Sequence, residues 1–141
     1  MFLNDEMCDV LCAAAKSKSE EMKVDISFAI CDKNGLLLLF RRFKEALVLS
    51  ITLVPGKAYT AAITQTKTKD IAIAAKEGGS LMAIQTNDPK ITLVAGGYPL
   101  FVNDKIVGGI GVGGGTEQQD CAIAEHVVSV FNDIIKKEKH N

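Results

Sequence analysis

Apolar and polar positions along the chain fall into a short series of amphipathic and alternating segments. Met7, Val10, Leu11, Ala14 and Met22 recur on one face of a helix that Asn4 can cap and that should pack on a sheet. Val24, Ile26, Phe28 and Ile30 then alternate with Asp25, Ser27, Ala29 and Cys31, the period of a half-buried strand. Asn34-Gly35 supplies the positive φ angles of a tight hairpin, and Leu36 to Phe43 returns as a second strand whose apolar start predicts burial on both faces. Ala46 to about Gln65 is mostly helical, with Pro55-Gly56 predicting either a kink or a fresh start. Thr68 can cap a third helix, Lys69 to Lys76, which Gly78-Gly79 ends; a short turn follows over Ser80 to Ile84. Ile91 to Val94 reads as a strand, and Leu100 to Val102 pairs across Asn103-Asp104-Lys105 with Ile106 to Val112. A last helix, Thr116 to about Lys137, buries Ala124, Val127, Val128, Phe131 and Ile135, and Lys136 to Asn141 reads as a frayed tail.

The densest signal is IVGGIGVGGGTEQQD, Ile106 to Asp120. Gly108, Gly109, Gly111, Gly113, Gly114 and Gly115 punctuate an apolar run, so a neighbouring backbone or a ligand must approach where a side chain would obstruct it. Thr116 and Gln119 have capping-box spacing, which fixes the start of the helix. A glycine turn at a helix start suggests phosphate, but Glu117 and Asp120 already occupy that positive field and would repel it.

Asp120 projects toward the buried stripe, so it needs hydrogen bonds or a cation; Lys57 is the first partner to consider, with Arg41 and Arg42 as rivals and the glycine-turn amides as the alternative. Ala58, Ala61 and Ala62 share one helix face and Lys57, Thr60 and Thr64 another, a polar stripe that is either a site or a solvated face. His126 projects away from the core and His140 lies in the tail, and neither has the setting of a paired general base.

Length and 48% hydrophobic content predict one α/β domain over 1–141 that can bury roughly two thirds of its unfolded surface. Sixteen basic against 17 acidic residues, with no basic stripe, argue against a nucleic-acid partner. The longest apolar runs, Leu36 to Phe40 and Ala46 to Leu49, fall short of the roughly 18 residues of a membrane span, and the N-terminus lacks signal-peptide character, which predicts a cytoplasmic protein. Cys8, Cys12, Cys31 and Cys121 form no C-x-x-C pair and read as reduced thiols; Cys8 and Cys12 lie one helical turn apart, but no local His joins them, and no metal site is expected.

Gly56-Lys57-Ala58-Tyr59-Thr60-Ala61-Ala62, then Thr68, then Gly96-Gly97-Tyr98-Pro99-Leu100, then Val107 through Asp120 follow one another in the order and spacing of the GlcG/HbpS family, which the chain resembles from Val24 to Phe131. That family includes the C-terminal domain of PduO-type proteins. The resemblance implies a profilin-like fold of the α+β kind, a five-stranded antiparallel sheet with helices on both faces. It also implies a homo-oligomer that binds a small molecule, haem or a related tetrapyrrole, in propanediol or glycolate-type metabolism or in redox stress. Adenosyltransferase activity belongs to another domain of the PduO-type proteins and is not implied. Gly113 stands where the family usually has Ser, and the first helix lacks the histidine that some haem-binding relatives use as an axial ligand, leaving Met7, Cys8 and Cys12 as replacements.

With the resemblance, the ligand-binding candidates are Lys57, Tyr59, Thr60, Gly96, Gly97, Pro99, Gly111, Gly113, Gly114, Gly115 and Asp120. Lys57 or the Arg41-Arg42 pair would meet the propionates. Two other readings compete: an enzyme acting on a small carboxylate or carbonyl metabolite with Lys57 and Asp120 as acid and base, or a non-catalytic oligomer in which the glycine and alanine faces pack subunits together.

Overall fold

In the computed structural model, which describes residues 1–139, the elements run α1 (Asp5–Glu21), β1 (Ser27–Asp32), β2 (Leu37–Arg42), α2 (Ser50–Thr64), α3 (Thr68–Ala74), α4 (Ile84–Asn87), β3 (Gly97–Val102), β4 (Lys105–Gly113) and α5 (Glu117–Lys139). The strands form one antiparallel sheet in the order β2-β1-β4-β3. Its two faces are covered differently. Phe28, Ile30, Ile110 and Val112 point into the larger core with Leu11, Ala15, Val127 and Phe131 of α1 and α5. Ala29 and Cys31 face α2 through Val54, Ala58 and Ala62.

Four strands stand where five were expected, because the segment from Ile91 to Val94 is not a strand. Side chains claim its backbone instead: Thr92 N donates to the Thr60 hydroxyl at 2.8 Å, and Gln85 Nε2 donates to the Ile91 carbonyl at 2.7 Å. The second strand also differs from expectation. β2 lies at the sheet edge, with Leu36 64% and Leu37 54% exposed, while β1, expected to be half-buried, is closed on both faces because it is central and carries helices above and below.

The glycine pattern of β4 explains how α2 packs. A Cβ at Gly109 would lie 2.5 Å from the Ala58 carbonyl oxygen and 2.7 Å from Ala62 N; one at Gly111 would lie 2.4 Å from the Val54 carbonyl oxygen. The helix backbone rests directly on the strand, and Ala58, Ala61 and Ala62, each at most 1% exposed, are spent inside this protomer. These glycine and alanine faces are therefore not subunit-packing surfaces.

Pro55 sits within a continuous α2, and the carbonyl it leaves without an amide partner belongs to Ile51 on an exposed turn. At the first hairpin only Gly35 has positive φ, and the Asp32 carboxylate holds the amides of Asn34 and Leu36. The two-residue turn with both φ positive is Asn103-Asp104, between β3 and β4. α5 continues through Lys139, past the expected end of the helix; His140 and Asn141 lie outside the described residues.

Candidate functional site

Lys57 and Asp120 meet. Lys57 leaves the middle of α2, and its Nζ donates to the Val112 carbonyl at 2.8 Å and lies 3.6 Å from Asp120 Oδ2. Asp120 Oδ1 accepts the Gly115 amide at 2.9 Å. The carboxylate thus has both partners that its inward projection called for, the cation and a glycine-turn amide. The capping box holds it in place: Gln119 N donates to Thr116 Oγ1 at 3.2 Å, and Thr116 N donates to Gln119 Oε1 at 2.9 Å. The rivals are engaged elsewhere, with Arg42 Nε on the Ala46 carbonyl and Arg41 over the Phe43 ring.

Both charges are closed off from solvent, Lys57 at 1% and Asp120 at 4% exposure. Burial pushes the Lys57 pKa below its ordinary value, against the opposing pull of Asp120. Burial likewise raises the Asp120 pKa, opposed by Lys57 and the Gly115 amide. The polar stripe of α2 is thus closed at Lys57 and Thr60 and half-buried at Thr64. Thr60 is 0% exposed and holds the Thr92 amide.

Gly96 and Gly97 form the wall around the lysine. A Cβ at Gly96, which has φ +121, would meet the Val112 carbonyl oxygen at 2.4 Å and Lys57 Nζ at 3.0 Å. Gly97 N donates to Thr68 Oγ1 at 2.9 Å, so the hydroxyl expected to cap α3 instead ties that helix to β3; Lys67 occupies the cap position without a side-chain bond. At Gly113 a Cβ would lie 2.6 Å from Val54 Cγ2 and 3.1 Å from Lys57 Nζ, which is where the usual serine would stand.

Lys57, Gly96, Gly97, Gly111, Gly113, Gly115 and Asp120 are therefore brought together; the other candidates are not part of that cluster. Tyr59 donates its hydroxyl to Asp88 Oδ2 at 2.5 Å and lines a separate groove with Thr52, Gly56, Lys90 and Thr92. Pro99 sits on edge strand β3 opposite Gly109, and Gly114 packs against the Asp25 carbonyl. Among the described residues no three His, Cys, Asp or Glu gather in a metal-ligating group, and no helix is long and apolar enough to cross a membrane.

Of the possible iron ligands in α1, Met7 at 7% and Cys8 at 5% exposure are core residues, whereas Cys12 is half-buried. Burial raises the Cys12 thiol pKa, and the nearby Arg41 and Lys16 charges pull against that rise. The sequence reading also missed a cleft between α1 and the end of β2, lined by Lys16, Lys23, Arg41 and Lys44. Part of its signal was present in the spacing of Lys16, Ser19 and Glu20 along one side of α1, with Lys23 just past the helix end.

The family described as haem degrading protein HbpS-like matches residues 3–129. The chain belongs to that family. An uncharacterized 15.0 kDa protein in the dhaT-dhaS intergenic region of Citrobacter freundii is 36% identical over 122 residues, covering 86% of each chain. The corrinoid adenosyltransferase PduO of the same organism is 32% identical over 133 residues, 94% of this chain but only 40% of PduO. Among solved structures, Klebsiella pneumoniae protein ORFY superposes with a TM-score of 0.88 at 30% identity, covering 92% of this chain and 90% of its own. The PduOC:heme complex superposes with a TM-score of 0.86 at 28% identity, covering 90% of this chain and 93% of its own. This HbpS-like chain thus shares its antiparallel sheet and helices with a domain that has been crystallised with haem.

Proposed function

We propose that this HbpS-like protein binds a tetrapyrrole, with haem the first candidate, as a small-ligand protein of the cytoplasm serving propanediol or glycolate-type metabolism or redox stress. The likeness to the PduOC:heme complex over nine-tenths of the chain carries the reading. Four free cysteines suit a reducing compartment. The donors needed for haem also fit α1: Cys12 is the half-buried thiol among its three sulfur candidates, and Arg41 and Lys16 lie close enough to influence it and could meet carboxylates. Bound haem would supply the redox and ligand chemistry of its iron.

A haemin titration followed at the Soret band tests the proposal. The expected result is saturation near one haem per subunit, with at least about tenfold weaker binding or a displaced Soret maximum in Cys12→Ser, since a thiolate is a far better iron ligand than a hydroxyl. Non-saturating uptake that is identical in Cys12→Ser would end it.

Self-association is a second reading, favoured by the bare edge of the sheet. Leu37 of the β2 edge and Leu36 just before it are joined in exposure by Leu47 at 62% and Val48 at 71% in the following loop. Sedimentation velocity should give an oligomer for the native chain and a monomer for Leu37→Lys/Val48→Glu; a native chain that is monomeric at high micromolar concentration would remove this reading. The acid–base reading of Lys57 and Asp120 ranks behind both, although their opposed pKa shifts favour it. Lys57 is 1% exposed and already committed to Val112 and Asp120, so no face of it is open to a substrate.

A further inference from the structure

Four cations converge on the cleft between α1 and the end of β2, which has a volume of about 590 Å³. Lys16, Lys23, Arg41 and Lys44 face two acids there, Glu20 and Asp25. Glu20 lies 4.0 Å from Lys16 and offsets that charge, and Asp25 Oδ2 accepts the Glu45 amide at 3.4 Å, so four cations stand against two acids. The cleft therefore keeps an excess of positive charge, within a volume that accommodates a small organic ligand. Its floor is partly apolar: Phe43 is 5% exposed, and the Arg41 guanidinium stands 4.9 Å from its ring centroid, which holds that charge at the cleft.

The backbone provides an independent observation. Lys23 has φ 57 and Lys44 has φ 49, both in the left-handed region that an L residue enters at a cost and glycine does not. Lys23 directly follows Met22, the C-cap of α1, at the position where glycine is the usual choice. Two separate turns on the lip of one cleft therefore carry a lysine in a conformation that favours glycine, so a glycine substitution there separates backbone strain from what the side chain contributes.

We propose that this cleft binds a small organic anion bearing two or more carboxylate or phosphate groups, with its apolar body against Val24 and Phe43. The site requires neither iron nor a macrocycle, although it shares Lys16 and Arg41 with the contacts proposed for a tetrapyrrole's carboxylates.

Amide chemical shifts of the ¹⁵N-labelled protein, titrated with inorganic pyrophosphate and with citrate at constant ionic strength, test it directly. Saturable shifts confined to the segments 16–25 and 41–45 are expected, weakened at least about tenfold in Arg41→Ala, because a guanidinium–oxyanion contact is charge-assisted. Lys23→Gly and Lys44→Gly should each raise the melting temperature while weakening binding, a pairing that a purely structural lysine would not produce. Saturation by pyrophosphate alone or citrate alone supports the cleft and identifies the anion class. Linear shifts spread over the surface lysines, or glycine variants that bind as tightly as the native chain, overturn it. Haemin uptake without saturable anion shifts would overturn the cleft and leave the tetrapyrrole reading standing; the reverse result would do the opposite.

Discussion

Gly109→Ala is expected to destabilise the fold by about 3 kcal/mol, the upper end of overpacking costs, because the added methyl has no side chain to push aside. Its nearest neighbours would be the Ala58 carbonyl oxygen at 2.5 Å and Ala62 N at 2.7 Å, both backbone atoms of α2. The helix would have to lift from β4 as a body, which also disturbs the Val54, Ala58 and Ala62 packing on β1. Urea denaturation measures the loss, and a companion pair separates this mechanism from a general intolerance of change. Trimming Ala62 to Gly should not rescue Gly109→Ala. Val54→Ala should partly rescue Gly113→Ala, whose closest neighbour, Val54 Cγ2 at 2.6 Å, is a side-chain atom. A Gly109→Ala protein with native stability would show that α2 does not rest on the strand as described.

Lys57→Met should cost about 3–5 kcal/mol, the usual penalty for leaving one member of a buried ion pair without its counterion. Asp120 would keep its Gly115 amide and lose its only cation partner among the described residues. Lys57→Met/Asp120→Asn should recover most of the loss, since the amide oxygen can still accept from Gly115 and no charge is buried. The deficit should also depend on pH in a stated direction. The folded-state pKa of Asp120 is already raised by burial and should rise further without the lysine, while the unfolded value stays near ~3.9. Between those two values the folded state holds more protons than the unfolded one, so stability falls as pH rises through the window. Lys57→Met should therefore be weakest at neutral pH and regain stability on acidification toward the unfolded pKa, and the double variant should show little of this slope. Urea midpoints between pH 4 and 8 check both statements; a deficit independent of pH would mean that Asp120 does not carry the cost.

Much of this architecture is legible one residue at a time. The α1 and α5 stripes, the alternation in β1, the capping box at Thr116 and the inward projection of Asp120 all follow from local periodicity and short-range hydrogen bonding, which depend on neighbours in sequence. The glycines of β4 announced a close approach without naming what approaches. A glycine reports only the space that its missing Cβ would fill, and here that space is taken by the backbone of α2.

Where the reading failed, the deciding partner usually lay outside the segment itself. Ile91 to Val94 has the composition of a strand, but the hydroxyl of distant Thr60 and the amide of nearby Gln85 take its backbone groups. Leu36 to Phe40 has the composition of a buried strand, yet its position at the sheet edge leaves Leu36, Leu37 and Leu38 exposed. The cationic cleft joins residues of α1 and β2 that no local window contains. Sequence alone determined the family, the first and last helices with their Asn4 and Thr116 caps, and the need for an inward carboxylate to find partners, because these are properties of spacing. Only the tertiary structure decided that Lys57 and Asp120 meet in a dry interior, that Cys12 rather than Met7 or Cys8 is the half-buried sulfur of α1, and that four cations share one cleft. Burial and long-range charge depend on which surfaces the fold brings together, and that is not written in any single segment.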